Sequence, residues 1–365
     1  MKTPMIQSRP NAAFRALPAL LLAFLALVVL APGAKAAEGP DPFFGTISQK
    51  SLDETDFDKM RWGRIGSLRI PVPWQSVQRR PDGPFNWKWI DELMVETAKR
   101  DINMLPTFYS SPEWLSDNWR QMPIFSDEAI QGWRSFLIAA ALRYGSDGRF
   151  WTQHPELPVR PIRKWQIWNE PNIVNFSAPV SVRNYAKLLR ISANTLRMAD
   201  PKARIVTAGL YAKPPKGKGT ESSVFLKRLY RIRSFRRSFD IAAIHPYART
   251  TRESVQRTFP MRRVMNRHRN RGKRLVITEL GWGSDTLTGF GVGSQEDQGV
   301  QLGSAYRAFL KHRQKLKLTG IYWFSWSDLP EGSNTCSFCL NTGLFDHEGN
   351  EKPAWYRLLD FTHDV

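Results

Sequence analysis

Lys164-Trp165-Gln166-Ile167-Trp168-Asn169-Glu170-Pro171-Asn172 is a run of strand-forming residues that ends abruptly in Asn-Glu-Pro-Asn. Pro171 cannot donate to a ladder hydrogen bond and disfavours helical backbone at the residue before it, so the predicted strand ends at Glu170. An amide and a carboxylate therefore stand at the C-terminal end of a strand. Barrel enzymes of parallel strands place their catalytic groups at this end.

A second stretch repeats the pattern. Arg274-Leu275-Val276-Ile277-Thr278-Glu279-Leu280-Gly281-Trp282 is a β-branched run that also ends in a glutamate. Either glutamate alone could be a solvated loop carboxylate. Two strand-end glutamates in matching contexts favour a carboxylate pair that faces one pocket.

Eight strand-like stretches alternate with helical patterns along most of the chain. Such alternation predicts a parallel sheet, and eight units predict closure into a single-domain (β/α)8 TIM barrel. A doubly wound open sheet is the alternative, but no Gly-x-Gly-x-x-Gly follows any predicted strand, so its dinucleotide-binding form has no support. The predicted strands are Pro42–Thr46, Ser67–Pro71, Met104–Phe108, Lys164–Glu170, Arg204–Leu210, Phe239–Ile244, Arg274–Glu279 and Thr319–Phe324.

The two glutamate stretches resemble known catalytic strands. Trp168–Asn172 and Ile277–Trp282 resemble the acid/base and nucleophile strands of clan A glycoside hydrolases, especially those of families 39 and 5. The resemblance covers most of the chain after its N-terminal segment. It implies a (β/α)8 barrel that hydrolyses O-glycosyl compounds with retention, with Glu170 as acid/base and Glu279 as nucleophile.

The same resemblance implies roles for five further residues. Asn169 resembles the amide that binds the sugar 2-hydroxyl, and Arg69 the arginine that keeps the nucleophile ionised. His245 and Tyr247 match positions that line the catalytic pocket, and Trp326 resembles the aromatic platform under the reacting sugar. Other interpretations stay open: an ordinary strand-end histidine, a packing tyrosine, and an arginine paired with a surface acid.

The N-terminal segment has the three parts of a secretory signal. Basic residues lie within 1–16, Leu17 to Leu30 is apolar throughout, and Ala34-Lys35-Ala36 offers a small-residue cleavage site. We therefore expect a signal peptide over 1–36, cleaved near Ala36, and a secreted catalytic barrel over 37–365. An uncleaved anchor is the alternative; no second long apolar run predicts a membrane span.

Cys336 and Cys339 are the two cysteines of the chain, and only Ser337 and Phe338 separate them. In an exported protein this spacing predicts a small loop disulfide. A zinc site would need two more ligands, and no matching His or Cys pair lies nearby. We expect no metal and no cofactor.

The chain is strongly basic. Its formal net charge is +20, and +16 remains without the four basic residues of the signal segment. The excess is compatible with an anionic glycan or cell-envelope polymer, with nucleic acid, or with a basic solvated surface alone. The charges cluster in 227–237 and in 262–274, between predicted strands.

The sequence thus predicts a secreted retaining glycosidase, monomeric, that acts on a carbohydrate. The second hypothesis is a catalytically silent barrel that binds carbohydrate or cell envelope, against which the presence of both glutamates with Asn169 and Arg69 argues. A nucleic-acid binder is less favoured, because the chain has an export signal and no motif that reads bases. Neither the sugar nor the choice between internal and terminal cleavage follows from these residues.

Overall fold

The computed structural model describes residues 41–333 and 335–363, and eight of its strands form a closed parallel barrel in chain order. The pairing of β1 with β8 closes the barrel, with Phe44 opposite Ile321 and Ile47 opposite Phe324. The predicted fold class is therefore confirmed. The strands β1 to β8 span Asp41–Ile47, Ile65–Pro73, Asn103–Tyr109, Lys164–Ile167, Arg204–Tyr211, Ile241–His245, Arg274–Leu280 and Leu318–Phe324.

Helices surround the barrel. Several begin at side-chain caps that the sequence provides: Ser126, Ser181 and Ser294 each accept a hydrogen bond from the backbone amide three residues on. The helices α1 to α11 span Glu54–Trp62, Trp74–Val77, Lys88–Lys99, Asp127–Tyr144, Arg149–Gln153, Val182–Ala199, Ser222–Leu229, Thr251–Arg267, Gln295–Lys311, Arg313–Leu316 and Pro353–Thr362.

Aromatic side chains fill much of the layer between barrel and helices. Phe108 stacks on Trp165 with ring centroids 5.7 Å apart, and both residues are buried. Trp133 of α4 is also buried, and its indole nitrogen donates to Ser192 Oγ of α6 at 2.8 Å. Burying these large rings removes much apolar area from water, which stabilises the scaffold that holds the strand ends.

All eight predicted strands are present, and the main difference lies at β4. It ends at Ile167, before the predicted end at Glu170. Trp168 and Glu170 have φ angles of 69° and 38°, so the chain turns through left-handed conformations instead of extending.

Within the described residues, no helix has the length and apolar character needed to cross a membrane. The predicted signal segment lies outside those residues. Its cleavage, and the boundary between 36 and 37, stay predictions.

Candidate active site

The C-terminal ends of the strands open into a pocket of about 1070 Å³. Both predicted glutamates line it, Glu170 from the turn after β4 and Glu279 from β7. This end of a parallel barrel is where such enzymes carry their chemistry. Aromatic side chains supply much of the remaining wall: Tyr109, Trp119, Phe176, Tyr211, Tyr247, Phe324 and Phe338.

A rigid turn holds Glu170 in the pocket. The left-handed backbone at Trp168 and at Glu170 costs on the order of 1–3 kcal/mol per residue. The Asn172 side chain ties this turn to the next unit and helps to offset that cost. Its amide nitrogen donates to the carbonyls of Tyr211 and Thr220, both at 2.8 Å, and its amide oxygen accepts from the Tyr211 amide at 3.0 Å.

Glu279 accepts two strong hydrogen bonds. Arg69 Nη1 donates to its Oε1 at 2.7 Å, and the Tyr247 hydroxyl donates to its Oε2 at 2.9 Å. Arg69 also donates from Nη2 to Asn169 Oδ1 at 2.8 Å and from Nε to Gln166 Oε1 at 2.7 Å. The structure therefore brings Arg69, Asn169 and Tyr247 into one buried network around Glu279.

His245 lies between the two glutamates. Its Nδ1 is 2.6 Å from Glu170 Oε1 and 3.3 Å from Glu279 Oε2. One carboxylate oxygen of each glutamate and one imidazole nitrogen all lie within 4.8 Å of one another. Carboxyls about 5–5.5 Å apart are typical of retaining glycosidases, whereas inverting pairs are about 6.5–9.5 Å apart. The nearest oxygens of Glu170 and Glu279 are thus closer together than the separation of an inverting pair.

A chain of hydrogen bonds fixes where the imidazole proton sits. Arg69 can only donate, so the Gln166 amide oxygen faces it, and Gln166 Nε2 donates to Thr278 Oγ1 at 3.3 Å. The Thr278 hydroxyl then has its own proton for His245 Nε2, 2.9 Å away. A neutral imidazole that accepts at Nε2 carries its proton on Nδ1. His245 therefore donates to Glu170.

The barrel wall also fixes the imidazole ring. A Cβ atom at Gly209 of β5 would lie 1.9 Å from His245 Nε2. Only glycine leaves room for the ring at this position.

Burial and charge separate the two carboxyls. Burial raises the pKa of Glu170 well above its usual value, the neighbouring Glu279 charge raises this pKa further, and Arg69 opposes the rise. Burial also raises the pKa of Glu279, but Arg69 and the Tyr247 hydroxyl act against it there. A single shared proton therefore belongs on Glu170. Burial, followed by the Arg69 charge, lowers the pKa of His245 well below its usual value and keeps the ring neutral.

The chain was compared with known proteins by sequence and by structure. No family model matches the chain. A curated β-xylosidase from Geobacillus stearothermophilus is 23% identical over 133 residues, which cover 33% of this chain and 24% of that protein.

Solved structures match the barrel over most of its length. A family 39 glycoside hydrolase from Bacteroides cellulosilyticus WH2 has a TM-score of 0.67 at 17% identity, over 88% of this chain and 64% of that one. A GH39 β-xylosidase from Caulobacter crescentus has a TM-score of 0.62 at 19% identity, over 89% and 72%. A GH5_18 structure from Streptomyces cattleya, in complex with Manb1-4GlcNAc, has a TM-score of 0.67 at 12% identity, over 88% and 80%.

The chain has the fold of clan A glycoside hydrolases. The resemblance to families 39 and 5 that the two glutamate stretches indicated is thereby confirmed. The chain spans about a quarter of the length of the Geobacillus β-xylosidase and 64% of the Bacteroides protein.

Trp326 lies outside the pocket. It is fully buried, its indole nitrogen donates to Asp56 Oδ1 at 2.7 Å, and its ring packs 4.6 Å from Phe345 and 5.8 Å from Trp355. Trp326 thus packs the C-terminal segment against α1, and the prediction that it forms a sugar platform is wrong. Phe324, the last residue of β8, lines the pocket instead.

Several pocket residues were missed by sequence reasoning. Tyr109 and Tyr211 are the last residues of β3 and β5, and both line the pocket. Gln166 and Thr278 are buried polar residues inside otherwise apolar strands. Gln166 and Thr278 could have been found in the sequence, because a polar side chain in a buried strand needs a hydrogen-bonding partner there.

The predicted disulfide is present. Cys336 and Cys339 are bonded, and both line the pocket rim beside Phe338. The bridge therefore closes a small loop at the mouth of the barrel.

Glu170, His245 and Glu279 are also ligand types that bind divalent cations, and their ligand atoms cluster closely. Two features oppose a cation here. Arg69 places a positive charge 2.7 Å from Glu279 Oε1, and the His245 Nδ1 proton points at Glu170. This arrangement fits a proton donor and a nucleophile better than it fits metal ligands.

Substituting Thr278 tests the hydrogen-bond chain. In Thr278→Val the shape is kept but His245 Nε2 loses its donor, so the imidazole proton is no longer held on Nδ1. We expect kcat on any hydrolysed glycoside to fall by about tenfold or more, whereas Thr278→Ser, which keeps the hydroxyl, stays within about twofold. Equal activity in the valine and serine variants would show that the hydroxyl does not position His245.

Proposed function

We propose that this chain is a secreted retaining O-glycoside hydrolase that cleaves an extracellular poly- or oligosaccharide by double displacement. One observation carries the proposal: two buried carboxyls converge on one imidazole, burial and the Glu279 charge raise the pKa of Glu170, and Arg69 and the Tyr247 hydroxyl favour the ionised form of Glu279. A pair of this kind is what glycoside hydrolysis requires.

The first step uses both carboxyls. Glu170 gives its proton to the glycosidic oxygen while Glu279 attacks the anomeric carbon, so the leaving group departs as an alcohol and a glycosyl ester forms on Glu279. Arg69 and Tyr247 keep Glu279 ionised for this attack. Asn169, which Arg69 holds at 2.8 Å, is placed to bind a sugar hydroxyl.

The second step reverses the roles. Glu170, now ionised, takes a proton from water, and the water oxygen attacks the anomeric carbon and releases Glu279. The His245 Nδ1 proton stabilises the Glu170 carboxylate in this interval, because Nδ1 lies 2.6 Å from its Oε1. Two inversions give net retention of anomeric configuration.

The surroundings support a sugar as substrate. Tyr109, Tyr211, Tyr247 and Phe324 give the pocket flat aromatic faces, which pack well on the apolar faces of pyranose rings. The N-terminal signal pattern supports action outside the cell. A catalytically silent barrel would have no need to keep Arg69 and Tyr247 aimed at an ionised Glu279.

Hydrolysis of a panel of aryl glycosides tests the proposal directly. We expect at least one to be cleaved, with the first-formed sugar keeping the anomeric configuration of the substrate by nuclear magnetic resonance. Cleavage with inversion would contradict double displacement. If no aryl glycoside and no natural glycan is hydrolysed, while glycans still bind in the pocket, the silent barrel is the correct description.

The acidic limb of the pH profile should respond to Tyr247. The Tyr247 hydroxyl stabilises the ionised form of Glu279, so Tyr247→Phe raises the pKa of Glu279. The inactive protonated form then persists to higher pH, and the acidic limb of kcat/KM moves up by about one pH unit. Tyr211→Phe is the control, because Tyr211 lines the same pocket without a hydrogen bond to Glu279. Equal shifts in both variants would contradict this role for Tyr247.

A further inference from the structure

A second concave site lies at the other end of the barrel. Its volume is about 900 Å³, and its walls come from α6, from the loop before β6 and from the loop before β7. Loops that precede strands lie at the N-terminal end of a parallel barrel, opposite the mouth that holds Glu170 and Glu279. We call this site the arginine groove.

The groove is lined by four arginines and no acid. Arg190 comes from α6, and Arg233, Arg236 and Arg237 come from the loop before β6. Their exposed side chains form no hydrogen bond or ion pair with any residue the structure describes. Like charges gathered this closely repel one another, so an anion in the groove would relieve that repulsion.

The acids nearest in sequence are already engaged elsewhere. Asp240 pairs with Arg197 at 2.9 Å, and Asp200 is buried and accepts from the backbone and hydroxyl of Ser146. Between 268 and 273, the loop before β7 adds basic residues and no acid. No acid therefore lines the groove, and Asp240, in the loop before β6, is paired with Arg197.

The loop that carries three of the arginines is firmly held. Lys273 Nζ donates to the carbonyls of Arg236 and Phe239, and Arg197 Nη1 donates to the carbonyl of Arg237 at 2.7 Å. Phe235 anchors the loop in the core and is fully buried. The backbone that carries these arginines is thus held in place, so binding does not have to order the loop.

We propose that the arginine groove binds an acidic polysaccharide chain through its carboxylate or phosphate groups, at a site separate from the catalytic pocket. Guanidinium forks pair bidentately with both kinds of oxyanion. A groove suits a chain better than it suits the flat surface of a bilayer. No aromatic side chain of the kind that stacks on nucleotide bases lines it. The choice of a glycan among polyanions rests on the proposed function.

The test compares two triple variants with the same change in net charge. The groove variant removes three of the four groove arginines through Arg233→Ala, Arg236→Ala and Arg237→Ala. The control variant removes three exposed arginines elsewhere through Arg79→Ala, Arg80→Ala and Arg183→Ala. We expect the whole protein to bind polygalacturonate and not neutral dextran in isothermal titration at low salt. The groove variant should bind at least about tenfold more weakly, and the control should stay within about twofold.

A second variant keeps the charge. Arg233→Lys, Arg236→Lys and Arg237→Lys leave the net charge unchanged but remove the planar guanidinium groups. We expect this variant to have an affinity for polygalacturonate between that of the wild type and that of the alanine variant. Circular dichroism checks that every variant is folded. Because the assay needs no turnover, Glu279→Gln should bind polygalacturonate like the wild type, which separates a failure here from a failure of the proposed catalysis.

Three results would overturn the inference. The first is binding of polygalacturonate no tighter than of dextran. The second is an equal loss in the groove variant and the control. The third is equally tight binding, through the same arginines, of double-stranded DNA or of phosphatidylglycerol vesicles.

Discussion

Glu279→Gln is expected to reduce turnover by at least about four orders of magnitude, because no glycosyl ester can form on an amide. Glutamine has the same shape, and its amide oxygen still accepts from Arg69 while its amide nitrogen can donate to the Tyr247 hydroxyl, so the fold and the pocket are retained. The loss should appear on every substrate, whatever its leaving group. It is measured as kcat on the best glycoside from the aryl panel.

Glu113→Gln is the matched control for this change. Glu113 is an exposed carboxylate after β3 and takes no part in the network around Arg69. It should keep nearly full activity. Unchanged hydrolysis in Glu279→Gln would place the nucleophile elsewhere in the chain.

Glu170→Ala is expected to give a different failure. A substrate with a good leaving group needs no proton, so the glycosyl ester on Glu279 still forms, but no base activates water and the intermediate accumulates. We expect a burst of product followed by turnover slower by about two to four orders of magnitude. Substrates with poor leaving groups should not react measurably.

Azide should restore the rate of Glu170→Ala, since a small anion enters the space left by the carboxylate and attacks without a base. The glycosyl azide should keep the anomeric configuration of the substrate. Rescue of a Glu279→Ala variant with retention, and none of Glu170→Ala, would reverse the two assignments.

The barrel and the central pair were predictable from the sequence for physical reasons. The strand-forming run before Asn169-Glu170-Pro171 predicted that Glu170 lies near the C-terminal end of β4, although the strand ends at Ile167, earlier than the proline indicated. The eight alternating units left few other ways to bury their apolar faces. The resemblance to clan A strands implied that Arg69 contacts Glu279, and the 2.7 Å distance between Arg69 Nη1 and Glu279 Oε1 agrees.

The direction of side chains beyond a strand end was not predictable. Trp326 follows β8 by two residues, and its position depends on a bond to Asp56, 270 residues away in the sequence. The alternation of apolar and polar residues along a strand gives no information about a hydrogen-bonding partner so far away in the sequence. Phe324 and Trp326 are both aromatic, and only the folded turn decides which of them faces the pocket.

The hydrogen-bond chain through Gln166 and Thr278 was also beyond sequence reasoning. Its logic depends on which atom of each group faces which neighbour, and these groups come from β4 and β7. The sequence shows that two polar residues are buried in strands. Only the geometry shows that they fix the proton of His245.

Trapping the glycosyl enzyme tests the central claim most directly. The protein is incubated with a panel of activated 2-fluoro glycosides, digested, and searched by mass spectrometry for a peptide carrying one fluorosugar. We expect a single label on Glu279, with its rate of formation reduced in Tyr247→Phe at low pH. A label on any other residue, or steady hydrolysis of a matching substrate with no label from its 2-fluoro analogue, would contradict it.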